Sequence, residues 1–194
     1  EVRLLNPADY ETKDSYTFDV TASDGELSDT QNVTINIIDL QEVIDTDKKY
    51  YSVSDAFKAL VIVDSSAAKI KVEDLLEIDS HTDVIRRSAI SYFGSVKNDR
   101  NYNRLKKLAS YGGTTWDARP EAINQLAKYA KEKTKTLDLF VELLRDNTRS
   151  ARRNAVRQIG RFGSKNHLDA LDELLEKDPI LERDIRFAKK NILK

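Results

Sequence analysis

Two patterns of apolar positions divide the chain. In Tyr16-Thr17-Phe18-Asp19-Val20-Thr21-Ala22 apolar and polar residues alternate with period two, which predicts a half-buried strand. Asp24-Gly25 supplies turn chemistry, and Gln31-Asn32-Val33-Thr34-Ile35-Asn36-Ile37-Ile38 alternates again. The expectation is a hairpin. Two strands alone are marginal in water, so it needs a partner sheet or must pack on the residues C-terminal to it. Tyr50-Tyr51-Ser52-Val53 and Ala59-Leu60-Val61-Ile62-Val63-Asp64 read as further short strands, the second a buried apolar run. Ser65-Ser66-Ala67-Ala68 reads as a turn. These strands are expected to complete a small sheet with the hairpin.

From about residue 69 the spacing becomes helical and repeats every 33 residues. Ala89, Ala122, Ala155 and Ala188 form one series, and Arg86, Arg119 and Arg152 another, with Ile185 in its fourth slot. Leu75, Leu108, Val141 and Leu174 keep the same spacing, as do Phe93, Leu126, Ile159 and Ile192. Each unit predicts a short helix, such as 136–146 or 167–177, then a longer one, such as 149–162. Asp178-Pro179 offers an N-cap and a first-turn proline, Pro120 falls near a helix start, and Gly112-Gly113 and Gly163 can end helices. An alanine at the centre of each longer helix fits close helix packing. Such units bury their apolar faces only by stacking. The expected fold is therefore mainly α: a solenoid of about four 33-residue helix pairs behind a small N-terminal β segment. The expected divisions are an acidic β segment 1–47, a joint 48–68, and the repeats 69–194. The last repeat should turn a polar face outward, and Lys189 and Lys190 occupy slots held earlier by apolar or small residues.

Charge sharpens this division. The net charge is −1, yet residues 1–47 hold twelve acids against Arg3 and Lys13, while 48–194 carry a net +9. No run of 18 apolar residues exists, so no membrane insertion is expected. With no Cys, disulfides and thiolate chemistry are excluded. The chain begins Glu1-Val2-Arg3 and contains no Met, as expected of a processed or excised piece.

Three stretches resemble known families. Asp83-Val84-Ile85-Arg86-Arg87-Ser88-Ala89 and Ala151-Arg152-Arg153-Asn154-Ala155-Val156-Arg157-Gln158-Ile159-Gly160 resemble HEAT-like repeats across 69–194. More loosely, Tyr111-Gly112-Gly113-Thr114-Thr115-Trp116-Asp117-Ala118-Arg119-Pro120-Glu121-Ala122 is similar to the C-terminal helical domain of M1-family aminopeptidases; that family's His-Glu-x-x-His motif does not occur here. Ala8-Asp9-Tyr10-Glu11, Tyr16 to Gly25 and Val33 to Asp39 resemble the last three strands of a cadherin-type repeat. That resemblance implies an extracellular or cell-surface setting and calcium bound by Glu11, Asp24, Asp39 and Asp9, since Ca²⁺ takes six to eight oxygen ligands. The family's closing Asp-x-Asn-Asp-Asn is here only Asp39-Leu40-Gln41-Glu42.

Catalytic chemistry is not legible. His81 and His167 have no partner at ligand spacing and sit where helices start. Gly160-Arg161-Phe162-Gly163 ends a helix and is not a phosphate loop. Arg86, Arg119 and Arg152 are expected to pair with acids or helix-end carbonyls of neighbouring repeats. Arg87, Arg153 and Arg157 are freer to point outward and are the candidate binding residues for phosphate or an acidic protein surface. The reading that results is a non-catalytic scaffold holding a protein partner, with no cofactor beyond the calcium implied above. The alternatives are the non-catalytic end of an M1-type zinc aminopeptidase and a nucleic-acid binder using the basic helical face.

Overall fold

The computed structural model describes residues 13–194. Strands β1 (Ser15–Ser23) and β2 (Ser28–Asn36) form an antiparallel hairpin, the whole of the sheet among the described residues. Its register places Tyr16 opposite Ile35 and Phe18 opposite Val33 on one face. On the other face Thr17 bonds Thr34, Thr21 bonds Thr30, and Asn32 donates to Asp19. The turn is set by Gly25, at φ +98°, and by the Asp24 carboxylate, which accepts the Glu26 and Leu27 amides at 3.0 and 2.8 Å. The predicted hairpin is present. It contributes nothing to the hydrophobic core.

Ten α-helices complete the described residues: α1 (Leu40–Thr46), α2 (Tyr50–Val63), α3 (Ser65–Glu77), α4 (Val84–Ser95), α5 (Asp99–Ala109), α6 (Arg119–Leu126), α7 (Lys135–Leu143), α8 (Arg149–Phe162), α9 (Leu168–Lys177) and α10 (Glu182–Ile192). They pack as successive antiparallel pairs, and the even-numbered helices stack directly on one another from α2 to α10. This is a HEAT-like helical solenoid, with five pairs where the repeat spacing predicts four.

The extra pair corrects the sequence reading of 48–68. The expected strands at 50–53 and 59–64 are one helix, α2, and the expected turn at 65–68 is the start of α3. Asp64 caps α3 by accepting the Ser66 and Ala67 amides at 3.0 Å. Val53, Ala56, Phe57 and Leu60 lie at helical spacing and are all buried. Ile62 and Val63, by contrast, are 84% and 71% exposed. Their presence made an amphipathic helix look like a buried strand. Strand propensity is a weak preference, and packing overrides it. The 33-residue series in fact reaches back one step: Ala56 precedes Ala89, Ala122, Ala155 and Ala188, and all five are buried. Helical packing also begins at Leu40, before the charge changes sign. Acidic α1 packs on α2, and its Asp45 pairs with Lys71 of α3 at 2.5 Å.

The reason for small residues on the stacked helices is visible at α8 and α10. A Cβ on Gly160 would lie 2.7 Å from both Cα and Cβ of Ala188, so the two backbones meet where neither helix carries bulk. One departure from the register occurs at α7. A 3-10 turn at Ala127–Tyr129 extends the preceding helix, and α7 starts only at Lys135. Phe140 and Leu144 fill the core there, while Val141 is only partly buried.

The two histidines stand at helix starts. His81 opens a 3-10 turn, and the His167 ring accepts the Ser164 amide in a capping box. Asp178 does not cap the helix it precedes, contrary to expectation, because its carboxylate is taken by arginines. No described helix is long and apolar enough to cross a membrane.

Candidate interaction surface

The arginines of the repeat fall into two sets. Arg86, Arg119 and Arg152 point inward, as their spacing predicts. The Arg86 Nε donates to the Leu76 carbonyl at 2.6 Å, and its guanidinium pairs with Asp79 and Asp83. The Arg119 Nε donates to the Ala109 carbonyl at 2.8 Å, and its Nη groups hold Asp146 bidentately. Arg152 donates to the Asp146 carbonyl at 2.6 Å and to the Asp178 carboxylate at 2.7 Å. Each arginine thus satisfies a carbonyl at or just past the end of its own repeat's first helix, where orphan acceptors collect, and also pairs with a carboxylate. Arg119 and Arg152 take theirs from the following repeat. Arg86 takes its acids from its own repeat, and there Asp83 accepts the Thr115 hydroxyl of the next.

These contacts set the acidity of the aspartates. Burial works to raise the Asp146 pKa, but hydrogen bonds from Arg119 and Thr148 outweigh it and hold the carboxyl below its ordinary value. The Arg152 hydrogen bond, with the nearby Arg149 charge, likewise lowers Asp178.

The second set faces solvent. Arg153 and Arg157 sit one turn apart on α8, and both reach across to Asp184 of α10. Their Nε atoms lie 3.1 and 3.2 Å from its two carboxylate oxygens. Both face solvent, and each is paired with Asp184. The aspartate orients both side chains, and among the described residues their Nη groups make no hydrogen bond. They line an open cleft of about 1290 Å³ between α8 and α10. Arg161, Arg183, Arg186 and Lys190 line it as well, against the acids Asp184 and Glu182. Arg186 pairs with Glu182. Ile180 and Phe187 add exposed apolar surface, 63% and 64% accessible. The polar outer face expected of the last repeat is thus present at Lys190 but not at Phe187 or at exposed Leu193. Arg87, the third predicted binding residue, is exposed on α4 and does not line this cleft. In its column Pro120 separates it from Arg153.

The sequence reading missed Asp184.

Of the acids implied as calcium ligands, the two that are described, Asp24 and Asp39, do not converge. Glu11 and Asp9 lie outside the described residues. Asp24 is at the hairpin tip, with its carboxylate already accepting two amides that lower its pKa. Asp39 is at the base, where it caps α1 through the Gln41 and Glu42 amides. The nine residues of β2 lie between them, a span of about 30 Å. No group of three or more His, Asp or Glu among the described residues is placed to hold a metal ion. Asp24 and Asp39 therefore do not fit one shared site.

Comparison with known proteins agrees with the helical architecture. No curated protein matches the chain. A family model for HEAT repeats matches residues 103–188, the span from within α5 to within α10 that contains the Arg119 and Arg152 rungs and most of the cleft lining. Residues 103–188 are accordingly similar to a HEAT-like repeat array.

Proposed function

We propose that the chain is a non-catalytic scaffold that holds a protein partner, and that an acidic segment of that partner lies in the cleft between α8 and α10. The observation that carries this reading is the pair of forked Nη groups on Arg153 and Arg157, oriented by Asp184 and left open. A planar guanidinium recognises a carboxylate through two parallel hydrogen bonds. Asp184 fixes the side chains in advance, so less rotamer entropy is lost on binding. Exposed Phe187 beside them is the kind of aromatic that anchors interfaces. The surrounding cations steer an acidic partner toward the site.

The test is a titration of the full chain with a labelled peptide rich in Asp and Glu and carrying one Leu or Phe, read by fluorescence anisotropy. Charge-assisted hydrogen bonds contribute about 1.5–3 kcal/mol, so Arg153→Gln with Arg157→Gln should weaken binding at least about tenfold. High salt should do the same. Peptide binding that the double variant leaves unchanged would overturn the assignment. Tighter binding to duplex DNA with a steep salt dependence would favour a nucleic-acid partner instead.

A further inference from the structure

The cleft and the hairpin lie at opposite ends of the helix stack, and their surfaces complement each other. Residues 14–37, the hairpin, contain five acids and no Lys or Arg. The cleft presents six cations against two acids. The hairpin is also two-faced. Its threonine face is satisfied by cross-strand hydrogen bonds. Its other face carries Tyr16, Phe18, Val20, Val33 and Ile35, with Val20 and Ile35 each 46% exposed and nothing from the core against them. A two-stranded ribbon whose apolar face has no core residue against it among the described residues does not stand well in water. The cleft offers matching apolar surface in Ile180 and Phe187.

From these observations we infer that the cleft of one copy takes the acidic hairpin of a second copy. This inference rests on the reading that the cleft binds acidic protein segments, and it names the segment. Within one molecule only residues 37–39 join the hairpin to α1, the helix furthest along the stack from α10. Four successive helix spacings of about 8–10 Å lie between α2 and α10. No hairpin residue lines the cleft in the structure, so the contact is assigned to a second copy. Because the two surfaces differ, it is head-to-tail, and each copy keeps one free hairpin and one free cleft. Association of this type continues beyond the dimer unless the rotation closes a ring.

Sedimentation velocity of the full chain tests it. At low salt the chain should grow in size from micromolar to submillimolar concentration and return to monomer at high salt. Arg183→Glu with Lys190→Glu removes cleft cations that carry no ion pair among the described residues. Glu26→Lys with Asp29→Lys reverses charge on the hairpin outside its turn hydrogen bonds. Each double variant alone should be monomeric, with circular dichroism unchanged. A mixture of the two should form a one-to-one dimer and nothing larger, since the hairpin of the first meets the intact cleft of the second. A full chain that is monomeric throughout at low salt overturns the inference, as does association that survives in either variant. Peptide titration of the hairpin variant separates the two claims. Peptide binding in a chain that never self-associates leaves the scaffold reading standing and removes the second copy. Loss of both removes both.

Discussion

Arg119 and Arg153 each reach an aspartate of the following repeat, and they do opposite things. Arg119 is nearly enclosed: its side chain is 5% exposed, and that of its partner Asp146 is 6%. Arg153 is 41% exposed, and its partner Asp184 is shared with Arg157. In the dry pair every group is committed, including the Ala109 carbonyl. In the wet pair the aspartate uses only the Nε atoms, and the recognition ends stay open. The same residue types in the same relation serve structure in one place and recognition in the other. Water access and unspent donors separate the two roles.

The sharpest way to break the comparison is truncation. Arg119→Ala leaves a buried carboxylate without its ion pair and a helix-end carbonyl without its donor, and should cost about 3–5 kcal/mol in urea unfolding. Arg153→Ala should stay within about 1 kcal/mol, as exposed pairs do. Equal losses would show that burial does not separate the two sets. A smaller effect tests the helix contact beneath the cleft. Gly160→Ala should destabilise by about 1–3 kcal/mol, because its new Cβ meets the Ala188 backbone. Gly94→Ala should cost less, since its Cβ would meet the Gln125 side chain, down to that residue's Cβ, but no backbone atom. Equal melting temperatures for the two variants would contradict the close approach.

The smallest effect is in acid. Asp146 and Asp178 have folded-state pKa values below their unfolded ones, so the unfolded chain binds protons more readily. Their stabilisation is present above the ordinary carboxylate value of about 4 and is lost as pH falls through the lowered folded values. Thermal melts between neutral pH and pH ~2 should show wild type losing stability faster than Asp146→Asn at the acid end. Parallel curves would remove Asp146 from the acid response.

Much of the fold is legible in the residues. The alanine series marks the stacked face of every repeat, and alternation marks the hairpin. The hidden parts have physical causes. The first helix pair carries the alanine, Ala56, but Val53 stands where the next three repeats have arginine, and exposed Ile62 and Val63 blur its periodicity. Val141 keeps the spacing of Leu108 but not its burial, because α7 turns Phe140 and Leu144 to the core instead. Asp184 is not legible because a clasp between repeats depends on how two helices are seated, which spacing within one helix does not report. Asp24 and Asp39 are joined only by family resemblance, and the extended strand between them holds them apart.

The Arg119–Asp146–Arg152–Asp178 chain has a consequence for how the molecule comes apart. Asp146 serves Arg119 with its side chain and Arg152 with its carbonyl, so loosening one repeat strips a partner from the next. Neighbour coupling of this kind makes a linear array melt in blocks rather than repeat by repeat. The first helix pair lacks a rung at Val53 and stands outside that block. Opening should therefore begin at α1 and α2 and stop at the ladder, leaving the α8–α10 cleft intact after the acidic end has let go.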